Sequence, residues 1–179
     1  MKIRVKTAPT TEPILTETAR EVLRIDGTES DAIITSLITA GRTFAEETNG
    51  ISIAPKTYEL AYDNYPPNII KVPYPVLLSL EAVTITDDSG VTSSMATSSF
   101  VVDTFGSTLA KKDSVGYPTV TLQEVNGVII EYKSGFTSCP EDIKQAILLY
   151  VKAQFECIPP EEWMPSFNRL MYPYKVVEV

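Results

Sequence analysis

The sequence predicts an α+β fold: a small helical bundle, made of an N-terminal helical hairpin plus C-terminal helices, with an inserted antiparallel β subdomain. Three observations lead there. Residues 138–157 place Ile143, Ala146, Ile147, Tyr150, Val151 and Phe155 at helical spacing, with Glu141, Lys144, Lys152 and Glu156 at the other positions, so one broad face is apolar. The only comparable pattern lies near residues 30–48, and neither helix buries its face alone, so distant parts of the chain must meet. Between them, from Ile53 to Ser134, the period changes from 3.6 to 2 and β-branched and aromatic residues alternate between turn clusters.

Taken in order, residues 1–15 read as an N-terminal arm. Lys2 to Lys6 alternate strictly, as in a short strand or extended arm, before a Thr/Pro-rich stretch. Residues 16–50 form the helical hairpin. Its first helix has Ala19, Val22 and Leu23 inward and stops at Asp26-Gly27. Its second opens on a cap-like Thr28, Asp31 pair, presents Ile34, Leu37, Ile38 and Phe44 on one side, and stops at Asn49-Gly50. In the β subdomain, 53–134, strands are expected at 56–62, 69–72, 78–86, 99–102, 119–122 and 127–132, with loops at 93–99 and 106–117. Helices follow over 138–171, the first opened by Pro140 and a capping-box spacing from Ser138 to Glu141 and stopped by Pro159-Pro160. The end, 172–179, is either a last strand closing the core or an extended segment waiting for a partner.

Composition narrows the function. The chain has 179 residues, 44% hydrophobic and 21% charged, the balance of one ordinary globular domain. No apolar run approaches the length of a membrane span and the N-terminus has no signal-peptide core, so a cytoplasmic protein with no membrane partner is expected. A net charge of −8 argues against a broad grip on nucleic-acid phosphates. Cys139 and Cys157 would lie about 27 Å apart on one helix at 1.5 Å per residue, beyond disulfide reach.

No catalytic residue, cofactor or metal site is expected. The chain has no histidine, which removes the commonest general base and the usual triads, and no phosphate-cradling glycine loop occurs among its eight glycines. Paired acids at Glu46-Glu47, Asp87-Asp88 and Glu161-Glu162 read as a solvent-facing helix side, a turn and a first helical turn. Tyr58, Tyr62, Tyr65 and Tyr74 fit either half-buried sheet positions or an aromatic platform, which would make the chain a soluble module binding a peptide or polymer through its β subdomain.

The order of elements carries more than any motif. Leu23-Arg24-Ile25-Asp26 before an acidic helix start at Glu29 to Asp31, the apolar-Pro-aromatic-Pro run Val72 to Pro75, the strand end Tyr132 to Phe136, the helix start Pro140 to Ile147 and the closing Pro173 to Val177 together resemble head–tail connector proteins of long-tailed double-stranded DNA bacteriophages. Such adaptor or head-completion proteins also occur in prophages and gene transfer agents. The resemblance implies a non-enzymatic virion protein, made in the host cytoplasm and placed at the neck, with about a dozen copies forming a ring under the portal. Its partners would be the portal protein, a neck or tail-completion protein and itself, with DNA passing through the channel without specific binding. The tail Tyr172, Pro173, Tyr174, Lys175, Val176, Val177, Glu178 and Val179 would dock on the portal. Helical faces carrying Ile34, Leu37, Ile38, Phe44, Ile143, Ile147, Tyr150, Val151 and Phe155 would form the bundle core and supply neighbour contacts.

Overall fold

Alternation at residues 2–6 and 56–62 is the pattern of paired strands, and a computed structural model describing residues 1–176 pairs them. Among these residues the chain is mixed α+β, with strands β1 (Lys2–Thr7), β2 (Lys56–Tyr62), β3 (Ile69–Lys71), β4 (Leu77–Thr86), β5 (Thr92–Met95), β6 (Phe100–Asp103), β7 (Thr108–Lys111) and β8 (Val128–Ser134), and helices α1 (Thr16–Leu23), α2 (Asp31–Asn49), α3 (Glu141–Phe155) and α4 (Pro160–Met171). Two compact units result. One comprises Met1–Ala8 with Pro55–Gly135, the other Pro9–Ala54 with Phe136–Val179.

In the first unit five antiparallel strands run in the order β1-β2-β8-β4-β5, beside a second sheet ordered β3-β7-β6. Residues 2–7 are thus a strand of this sheet rather than an arm, and the unit is assembled from two chain segments rather than one insertion. The reason is charge. Arg4 and Lys6 bond Glu59 and Glu131, and Lys2 reaches Asp63 at 3.3 Å, so the cations of β1 find carboxylates across the sheet. On β4 the buried residues are Leu77, Leu80, Val83 and Ile85; bulges after Leu77 and Leu80 reset the alternation and keep all four on the core side.

Three strand expectations change. Residues 119–122 make only an isolated bridge from Leu122 to Asp87, because Thr119, Val120 and Thr121 are all exposed and give no buried face to pair. β5 and β7 lie in stretches read as loops. β5 is Thr-Ser-Ser-Met, with no apolar alternation to read, and β7 contributes a single buried apolar residue, Leu109.

The helical unit packs Ile34, Ile38 and Ala45 of α2 against Ile143, Ala146, Ile147 and Val151 of α3, with Trp163, Phe167 and Met171 of α4 alongside. Gly41 sets how closely α2 approaches α3: a Cβ there would lie 2.9 Å from Tyr150 and 3.2 Å from Ile147. Around this contact Phe44, Tyr150, Trp163 and Phe167 form one ring cluster, with centroids 5.2 to 5.9 Å apart. Val22, expected inward, is 41% exposed, whereas Ala19 is fully buried.

Helix ends differ from expectation too. α1 stops at Arg24, left-handed with φ 57°, before Asp26-Gly27 is reached. Ser30 and Pro140 precede α2 and α3 without side-chain caps. Pro140 is extended, which moves Ser138 too far back to cap, and Glu141 pairs with Lys144 instead. Gly50 ends α2 with φ 67° in the expected left-handed stop.

The largest departure is Glu46, expected on the solvent side of α2 and in fact 4% exposed. Arg42, 6% exposed, donates to Glu46 at 2.8 Å and, through Nε and Nη2, bidentately to Glu12 at 2.7 and 3.1 Å. The other Glu46 oxygen accepts the backbone N–H of Ile53 at 2.7 Å and of Ala54 at 3.3 Å. Glu47 is exposed, as expected of both. Replacing Glu46 by Ala leaves the guanidinium paired with Glu12 but removes the acceptor of the Ile53 and Ala54 N–H groups, and about 1–3 kcal/mol of stability is expected to be lost. Urea unfolding followed by the fluorescence of Trp163, the single tryptophan and buried in this unit, measures it.

Candidate functional site

The candidate surfaces follow from which apolar side chains the fold consumes. Of the helix-face residues, Ile34, Ile38, Ile143, Ile147 and Val151 are fully buried and belong to the core. Leu37, Phe44, Tyr150 and Phe155 are only partly buried and reach the surface of the helical unit. The two groups sit on the same helices, so one amphipathic face serves the core while its margin stays open.

The tail is not extended where it is described. Tyr172–Tyr174 form a 3-10 turn continuing from α4, because Pro173 has the fixed φ of a helical first turn. Tyr174 meets Phe136 edge-on at 6.1 Å, and the Val176 N–H donates to Asn49 at 3.0 Å. Val177, Glu178 and Val179 lie outside the described residues.

The tyrosines do not assemble an exposed platform. Tyr58 is 3% exposed and is stacked between Tyr74 and Tyr132 at 5.2 and 5.4 Å. Burial pushes the Tyr132 phenol strongly upward, and its hydroxyl donates to Pro73 at 2.5 Å, while Ser134 donates to Tyr74 at 2.6 Å. The Val72 to Pro75 run is thereby tied to β8 as a structural knot. Tyr65 stacks on Tyr117 at 4.9 Å.

The acid pairs have local roles. Both Glu46 oxygens are engaged by Arg42, Ile53 and Ala54; Asp87 accepts the N–H groups of Ser89 and Val91 in the β4–β5 turn; Glu161 and Glu162 are exposed in the first turn of α4. Among the described residues, no group of three or more His, Cys, Asp or Glu converges as a metal site, and no helix is long and apolar enough to cross a membrane. A hollow of about 190 Å³ over β1 and β2, lined by Lys2, Arg4, Glu59 and Asn126, is smaller than a typical small-molecule pocket.

Charge divides unevenly, which the whole-chain value conceals. The helical unit holds seven Lys and Arg against fourteen Asp and Glu, a net −7; the sheet unit holds eight against nine, a net −1. Almost all of the net negative charge is therefore on one unit. Sequence reading also missed Phe105, which stands fully exposed on the β6–β7 turn. The spacing of Asp103 to Gly106, a turn signal, marks the place.

No family model and no curated protein matches the chain by sequence. Solved structures do match. A chain in the neck of an empty gene transfer agent particle, computed with C6 symmetry, superposes with a TM-score of 0.81 at 18% identity, over 100% of this chain and 97% of that one. The fold is that of a gene transfer agent neck chain. A chain in the virion of a native gene transfer agent particle gives 0.79, and one in the native neck computed with C12 symmetry gives 0.78, with the same identity and coverage. The neck fold thus accommodates this sequence from end to end.

Within that fold the two thiols are unequal. Both are free; Cys157 is exposed, while burial pushes the Cys139 thiol up to about 11. Iodoacetamide at neutral pH is expected to alkylate Cys157 more than about tenfold faster than Cys139, as read by peptide mass spectrometry.

Proposed function

We propose that this chain is a structural head–tail connector of a phage or gene transfer agent virion, non-enzymatic, forming a ring under the portal that extends the DNA channel and joins head to tail. The observation that carries it is the agreement of fold with virion neck chains along the full length. In this reading the helical bundle carries an associated β subdomain, and about a dozen copies close head to tail, in keeping with the twelvefold symmetry of a related neck. Portal and a neck or tail-completion protein flank the ring in the virion, and the chain passes through the host cytoplasm before assembly. DNA slides through without specific binding, which the acidity favours, since lysines and arginines facing the duplex would hold it.

The tail is the portal-docking element. It comprises Tyr172 to Val179, of which Tyr174 and Val176 are held against the helical unit. Leu37, Phe44, Tyr150 and Phe155 supply neighbour contacts from the helical side. The platform reading loses its main support, because Tyr58 is stacked inside the sheet unit.

Native mass spectrometry of the chain, alone and with the portal protein encoded beside it, tests this. A ring or a portal complex carrying many copies is expected. Deleting residues 177–179 is expected to abolish portal binding while leaving the fluorescence-monitored unfolding of Trp163 unchanged. A chain that neither forms rings nor binds portal at any concentration overturns the reading.

A further inference from the structure

The sheet β3-β7-β6 buries Ile70, Leu109 and Phe100 on one side. Its register sets Ile69 opposite Ala110 and Ala110 opposite Val101, so three apolar residues form a row across the other side, where Ile69 is 67% and Val101 50% exposed. Lys71, Lys112 and Asp103 follow the same alternation and are exposed.

At the end of this sheet stands Phe105, on a turn that is held rather than loose. Asp103 Oδ1 accepts the N–H groups of Phe105 and Gly106, both at 3.0 Å, and Thr108 Oγ1 donates to the Gly106 carbonyl at 3.1 Å. The next residue, Ser107, is buried and accepts from the N–H groups of Val76 and Leu77 at 3.1 and 3.3 Å, anchoring the turn to the start of β4. A phenyl beside an apolar row, carried on a turn whose backbone is already held, has little backbone freedom to lose on docking, which favours an interface anchor.

Charge indicates what covers it. The face offers two lysines against one aspartate, Asp103, a positive balance within a unit of net −1, and the same chain carries net −7 on its helical unit, where Asp142, Glu161 and Glu162 are exposed at the first turns of α3 and α4. We infer that the β3-β7-β6 face with Phe105 docks on the acidic helical unit of a second copy of this chain. The inference rests on the connector reading and deepens it. Two unlike surfaces of one chain make a heterologous contact, and such contacts, repeated around an axis, close into a ring. Complementary charge on the two surfaces sets the register between copies that otherwise repel at −8 each.

The test places photo-reactive p-benzoylphenylalanine at position 105 of the full chain, irradiates it alone and with portal, and maps the links by peptide mass spectrometry, with native mass spectrometry in parallel. Links from position 105 to α3 or α4 peptides of another copy are expected. Phe105→Ala and Val101→Glu, both surface changes checked by circular dichroism, are expected to weaken ring formation at least about tenfold. Rings whose links map elsewhere, or to the portal, or rings that both variants form as well as the unaltered chain does, overturn this docking surface and leave the connector reading standing. No self-association and no portal complex under any condition overturns both.

Discussion

The helical unit depends on one guanidinium. Arg42 is buried on α2 and holds two carboxylates, Glu12 from the segment before α1 and Glu46 one turn further along its own helix. Glu46 in turn receives the N–H groups of Ile53 and Ala54, the last residues before the chain leaves this unit. Two stretches outside the helices, the segment carrying Glu12 and the backbone at Ile53–Ala54, are thus tied to α2 by one charged network. Such a network costs desolvation, which an apolar replacement would avoid, and offers a directional geometry that an apolar contact cannot. Its effect is to bring Ile14, Ile51 and Ile53 into the same core as α2 and α3.

The sheet unit solves a similar problem with neutral groups. Tyr74 and Val76 both have positive φ, at 55° and 80°, an uncommon conformation for non-glycine residues. It persists because the surroundings fix it. The Tyr132 hydroxyl binds the Pro73 carbonyl, Ser134 binds that of Tyr74, Gly135 binds that of Val76, and Ser107 accepts from Val76 and Leu77. The hairpin that carries Phe105 is secured to the same run, so its orientation is inherited from the sheet core.

Much of this could be read from the residues, and the limits have physical causes. Ile34, Ile38, Ile143, Ile147 and Val151 were legible as core because helical periodicity records burial directly. Strand β2 was legible from end to end for the corresponding reason. Glu46 was not, since its burial is decided by Arg42, itself held by Glu12 thirty positions before it, and by the backbone N–H groups of Ile53 and Ala54, which periodicity does not see. The Arg42, Glu46 spacing of four, lying in phase with Ile38, Ala45 and Asn49, was the available sign. β5 has no apolar alternation, and β1 owes its place to charges on other strands. For the tail, a strand and a free segment were both open readings; the 3-10 turn at Tyr172–Tyr174 arises from a proline placed where helix α4 could continue for one more turn.

The path of the chain has a consequence for how the protein is made. It starts in the sheet unit, crosses to the helical unit at Pro9, returns at Pro55 and crosses again at Phe136. Strand β1 is synthesised first yet has no partner until β2 emerges, and α2 is finished long before α3 begins at Glu141. At ordinary translation speeds the nascent α2 waits roughly 5–20 s with its apolar face uncovered. The sheet unit cannot close before β8 is made, nor the helical unit before α3 and α4, so both are completed only after most of these residues have been added.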